Sequence, residues 1–184
     1  MENNNRANSN SQEFSTAVRF LINIEDKTRA MVQHLDTQTN ILIGFSSALF
    51  LFSAGMIVGN KPVATFYALA FFSAMAVIVG LFAIHPPRFM RKRGQNESIM
   101  YNKKIAGFSS CDEYKNELTN IIGNHEAVVE QYAREIYNLA AFYYRPKRKL
   151  FKTTRSILLA GVIIELVSSF HGFFLNRLRK LIIE

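Results

Sequence analysis

Between Asp36 and Lys61 the chain carries no charged side chain, and between Lys61 and Arg88 it again carries none. A bilayer core about 30 Å thick is crossed by about 20 helical residues. Each gap is long enough, so residues 40–58 and 63–84 are predicted as membrane-spanning helices. A soluble fold would have to cover two helices that are apolar all round with an amphipathic shell. The rest of this 184-residue chain is too short to supply one. The connector Gly59-Asn60-Lys61-Pro62 suits a tight turn, because Gly and Asn end helices well and Pro is tolerated at the start of the next. So short a link allows only an antiparallel hairpin.

Charge then orients the hairpin. The formal net charge is +8, and the basic residues are unevenly placed. Lys61 stands alone between the spans, whereas Arg88, Arg91, Lys92 and Arg93 follow the second one, and Arg145, Lys147, Arg148, Lys149 and Lys152 come later. Lys and Arg near span ends mark the cytoplasmic side. The N-terminal segment and residues 85–153 are therefore expected in the cytoplasm.

Outside the hairpin the chain reads as helical throughout. Residues 1–12, rich in Asn and Ser, have too little apolar surface to bury and read as a disordered lead without the pattern of a secretory signal. Residues 13–39 form a helix continuous with the first span, with Phe14, Val18, Leu21, Thr28, Val32 and Leu35 on a narrow stripe and Glu25 in the missing turn. Pro86-Pro87 breaks the helix after the second span. A short helical piece is expected near Glu97 to Lys104, a capped helix from Ser110 (Ser-x-x-Glu) to about Ile122, and a break at Gly123-Asn124. The next helix carries Val129, Tyr132, Ile136, Leu139 and Tyr143 on one face, and Pro146 is expected to end or bend it. Residues 154–176 are a third candidate span, followed by a basic tail, 177–184. A re-entrant third helix with a cytoplasmic C-terminus is the alternative, since Arg177, Arg179 and Lys180 would otherwise lie outside. The fold class is thus all-α: an integral membrane protein with an N-terminal transmembrane hairpin, a cytoplasmic helical region and a third, C-terminal transmembrane helix.

Catalytic chemistry has no visible carrier. His34, His85, His125 and His171 lie in four separate segments, Asp26, Asp36 and Asp112 are the only aspartates, and Cys111 is the only cysteine. An enzyme needs converging acids, bases or metal ligands, so neither an enzyme nor a metal site is expected. Glu165 stands out because a carboxylate near mid-span costs a few kcal/mol. Gly161, Glu165, Ser168 and Gly172 share one face, the small-residue pattern with which membrane helices pack closely. That face is either a packing seam or pore lining of an assembly, or a carboxyl satisfied within its own chain. The basic clusters suit headgroups, or alternatively an anionic ligand.

Four stretches in order carry a family resemblance: "LDTQTNILIG" (35–44), "HPPRF" (85–89), "NESIMYNKKIAGFSSCDEYKNEL" (96–118) and "YAREIYNLAAFYYRPKRKLFK" (132–152). With them the chain resembles the transmembrane effectors of Pycsar, a bacterial anti-phage system. Gln38 departs from the pattern, in which a Lys is expected two residues after the Asp. The resemblance implies a multi-pass protein of the bacterial inner membrane that senses a cyclic pyrimidine nucleotide, cUMP or cCMP, made by a partner cyclase. It then disrupts the membrane and arrests growth. It implies ligand contacts among Asp36, Arg88, Asn96, Tyr101 and Arg134, membrane lipids as partners, a homo-oligomer, and no cofactor or nucleic acid. Two other readings stay open: a membrane effector fired by a different cyclic nucleotide or oligonucleotide, and a structural or accessory membrane subunit with no ligand.

Overall fold

The computed structural model describes the backbone of residues 2–59, 64–90 and 97–183, with side chains described between 14 and 174 of these except at 88, 102, 103 and 173. Among the described residues every regular element is helical: α1 (Glu2–Val58), α2 (Ala64–Ile84), a 3-10 turn (Arg88–Met90), α3 (Asn102–Ile105), α4 (Cys111–Ile122), α5 (His125–Asn138), a π-helical turn (Leu139–Tyr144) and α6 (Arg145–Ile183). The chain divides into two compact units, residues 1–33 with 88–145 and residues 34–87 with 146–184.

The second unit is built from the later part of α1, from α2 and from α6. Phe52 meets Phe66 edge-on with ring centroids 6.1 Å apart, and a Cβ at Gly80 would lie 2.6 Å from Cγ1 of Ile43. Later residues of α2 therefore meet earlier residues of α1, and the two run antiparallel. α6 returns along α2 in the same way: Thr154 lies beside Gly80 and Phe72 beside Gly161. Leu35, Leu69 and Leu158 are buried in this unit, but most large side chains are turned outward and most buried positions are small. Phe45, Leu51, Phe52, Phe71, Leu81, Phe82, Ile163, Leu166, Val167 and Phe170 are exposed, while Thr39, Ser46, Ser53, Ser73, Ala76, Ala83 and Thr154 are buried.

The hydroxyls on the seam are tolerated because most are satisfied inside their own helix. Thr39, Ser46 and Ser53 recur every seven residues, so they stay on one side of α1. Each donates to the carbonyl four residues earlier, of Leu35, Leu42 and Leu49, at 2.7, 2.8 and 2.7 Å. Thr154 does the same to Leu150 at 3.0 Å. A helix with its hydroxyls bonded inward presents a smooth, narrow flank, and small residues opposite let the axes approach.

In the first unit, short elements are set by caps. The Oγ of Ser110 accepts from the Glu113 N–H, as the capping box requires. The returning carboxylate reaches one residue further back than that motif: Glu113 Oε2 accepts from both N–H and Oγ of Ser109. Those bonds hold the Glu113 carboxyl below its ordinary pKa. Gly123 keeps a right-handed φ of −68°, and the break between α4 and α5 comes at Asn124, which is extended. Its Oδ1 accepts from Glu126 and Ala127.

Two expectations differ from this fold. α1 begins at Glu2, inside the stretch expected as a disordered lead. Extending a formed helix costs far less than nucleating one, and no Gly or Pro interrupts 2–12. The helical piece expected near 97–104 is the single turn α3, preceded by a turn at 98–101. At Pro146, where the helix is expected to end or bend, the coil continues into α6 through a local distortion. The π-helical turn immediately before it widens the coil, with the Arg145 N–H bonded to Ala140 five residues back, and Pro146 then falls in the first turn of α6, where its missing N–H is tolerated.

Candidate functional site

The first unit holds a loop docked on a helix. Ser98 and Ile99 are fully buried. The Ile99 N–H donates to Oε1 of Gln131 on α5 at 2.9 Å, and the Met100 N–H donates to the Ser98 hydroxyl. Tyr101 closes the loop through a 2.6 Å bond between its hydroxyl and that of Tyr143 in the π-helical turn. Extra-wide helical turns of that kind cluster at functional sites.

One turn along α5 from Gln131 lies Glu135, only 5% exposed. Nη2 of Arg29 on α1 lies 2.5 Å from Glu25 Oε1 and 3.9 Å from Glu135 Oε1. One guanidinium thus serves two carboxylates, both buried. Burial pushes the Glu135 carboxyl up, the charge of Glu25 adds to this, and Arg29 opposes it. Its second oxygen has no hydrogen-bond partner among the described residues. Glu25 is the residue that interrupts the apolar stripe of α1, which was the signal for this cluster; Glu135 gave none in sequence.

The second unit contains a further buried charge among the described residues, Lys147. Lys147 Nζ donates to both carboxylate oxygens of Asp36, at 2.6 and 2.7 Å. This pair joins the start of α6 to α1. Nothing local in the sequence points to the partner of Asp36, which lies 111 positions away. Gln38, where the resemblance expects Lys, instead approaches His34 at 2.9 Å on the exposed side.

The predicted ligand residues are distributed as follows. Tyr101 and Arg134 belong to the first unit and Asp36 to the second. Tyr101 is bonded to Tyr143, Asp36 to Lys147, and Arg134 to Glu130 one turn earlier on α5. The side chain of Arg88 and all of Asn96 lie outside the described residues. Of the membrane-face residues, Gly161 packs so tightly that a Cβ there would lie 2.6 Å from Phe72 Cβ, whereas Gly172 faces open space. Glu165 is half-buried and accepts from Ser169 Oγ at 3.1 Å, and Ser168 is half-buried. Among the described residues no three His, Cys, Asp or Glu side chains converge.

Two helices, the described part of α1 from Phe14 to Val58 and α2, are long and apolar enough to cross a membrane, and the large apolar side chains around them face outward. This is the build of a membrane-associated helical protein. The chain matches the Pycsar effector protein domain over residues 20–172 and belongs to that family. It is therefore an effector of anti-phage defence. No curated protein and no solved structure matches it.

Proposed function

We propose that the protein binds a cyclic pyrimidine nucleotide, cUMP or cCMP, in the cytoplasm and in response disrupts the inner membrane, arresting growth. The observation that carries this reading is the family match, which runs through both units, from residue 20 in α1 to residue 172 in α6. The second unit crosses the bilayer as a hairpin of α1 and α2 with α6 as a third span. The N-terminus and residues 85–153 lie in the cytoplasm, and the protein acts by binding rather than by catalysis, as a homo-oligomer.

The chemistry of the first unit supports a nucleotide ligand. A phosphodiester carries one negative charge and takes charge-assisted bonds from Arg or Lys, and a pyrimidine offers a flat face to an aromatic ring. Tyr101 and Arg134 are the described candidates, with Arg88 and Asn96 beside them in sequence order. Occupation of the ligand site alters the membrane unit only to the extent that its two states bind the nucleotide unequally.

The test is binding of full-length, detergent-solubilised protein to cUMP and cCMP, with cAMP and cGMP as controls. Selective uptake of a pyrimidine nucleotide is the expected result. Folded protein that binds none of the four overturns it.

A further inference from the structure

We infer that the exposed face of α6 around Lys149, Lys152 and Arg155 is a docking surface for the headgroups of anionic phospholipids. The inference rests on the membrane-spanning reading of the second unit and is independent of the nucleotide.

The face lies opposite the packed seam of α6. Lys147, Thr154, Leu158 and Gly161 are buried, while Lys149, Lys152 and Arg155 are exposed on the other side of the helix. Following that exposed side along the helix, the cations stop at Arg155 and Leu159, Ile163, Leu166 and Phe170 succeed them at spacings of four, four, three and four. One strip of one helix thus changes from cationic to apolar within a turn, as the boundary between headgroups and acyl chains requires. No acidic residue occurs between Arg145 and Glu165. Lys147 is satisfied by Asp36, but Lys149, Lys152 and Arg155 have no ion pair among the described residues.

Depth argues further for an anionic lipid over a neutral one. The Asp36–Lys147 pair aligns α1 with α6, which run the same way. Five residues on from the pair, the exposed side of α1 has already become apolar at Ile41, whereas α6 at that level carries Lys152. α2 agrees: Gly80 lies beside Thr154, and Phe82 is exposed just before His85. Arg155 stands three residues further in, about 4–5 Å below the apolar line drawn by the other two helices. A cation at that depth bends its side chain back toward the headgroups, and a lipid phosphate with uncompensated charge supplies the partner the chain lacks. Arg matches a phosphate with two parallel N–H bonds.

The experiment uses the full chain reconstituted into phosphatidylcholine vesicles containing trace spin-labelled phosphatidylglycerol or spin-labelled phosphatidylcholine, without nucleotide. The expected result is a several-fold preference for phosphatidylglycerol at the protein surface, bounded by roughly fivefold per cation. That preference should be largely lost in the Lys149→Gln, Lys152→Gln, Arg155→Gln triple variant and weaken in wild type as salt rises. Equal preference in the triple variant, a salt-independent preference, or none in wild type overturns the inference. Abolition of the preference by millimolar inorganic phosphate assigns the face to a free anion and overturns it as well. Protein that fails to float with the vesicles overturns the spanning reading itself, which keeps the two failures apart.

Discussion

The two units pack by opposite rules, although α1 belongs to both. In the second unit most of the buried seam is made by small residues, Ser46, Ser53, Ser73, Ala76, Gly80 and Gly161, with Leu35, Leu69 and Leu158 buried among them, while most of the other large apolar side chains face out. In the first unit the long-range contacts include polar ones: Ile99 to Gln131, Tyr101 to Tyr143, and Arg29, paired locally with Glu25, to Glu135. On the proposed reading, with the second unit in the bilayer and the first in the cytoplasm, the difference follows from the surroundings. Where the outside is as apolar as the side chains, burying a leucine gains nothing over leaving it in lipid, and close approach of backbones decides packing. In water, loops are held by satisfying their backbone groups, and a buried carboxylate survives only beside a cation.

That contrast can be broken at named positions. The largest effect is expected at the buried pair of the second unit. Asp36→Ala leaves Lys147, 9% exposed, without its counter-ion, and should destabilise the folded protein in detergent by about 3 kcal/mol. Lys147→Met should cost less, because Asp36 keeps some access to water. Equal melting temperatures for wild type and Asp36→Ala would show that the pair contributes nothing.

Next come the glycines of the apolar seam. Gly80→Val or Gly161→Val drives a side chain into Ile43 or Phe72 and should cost about 1–3 kcal/mol. Gly44→Val and Gly55→Val meet nothing within 4 Å and should be near neutral. Thermal unfolding of the four variants in one detergent compares them directly, and indistinguishable costs would refute the seam.

Glu135 sharpens the contrast from the first unit. A carboxyl raised above its ordinary pKa binds its proton more tightly in the folded state. Above the folded pKa both states are ionised and the folded state bears the full cost of burial. As pH falls through the folded pKa toward the ordinary carboxylate range that cost is relieved, so acidification stabilises this unit. Glu135→Gln should stabilise it at neutral pH and flatten the dependence. A mutant that melts lower at neutral pH would contradict this. The smallest effect is at Ser110→Ala, which removes the α4 cap and should cost about 1 kcal/mol or less, read by hydrogen exchange of the Glu113 amide.

Much of the fold was legible because it rests on local patterns. Charge-free runs marked α2 and the later part of α1, Ser110 and Asn124 marked the starts of α4 and α5, and the interrupted stripe of α1 drew attention to Glu25. Local rules marked Pro146 as an end or bend but did not give its form, a π-helical turn directly before it that lets the coil continue into α6. Of the candidate site, the Glu130–Arg134 pair was readable, being one turn apart on one helix.

The sequence by itself determined most of the helical segments and that α2 and the later part of α1 are apolar enough to cross a membrane. Those properties are set by neighbours within a few positions. Tertiary structure alone decided that Asp36 is held by Lys147, that Glu135 faces Glu25 across Arg29, that Tyr101 closes onto Tyr143, and which glycines are packed and which open. Each joins residues tens of positions apart or more, and the axial register of one helix against another, a matter of ångströms, decides which side chains meet.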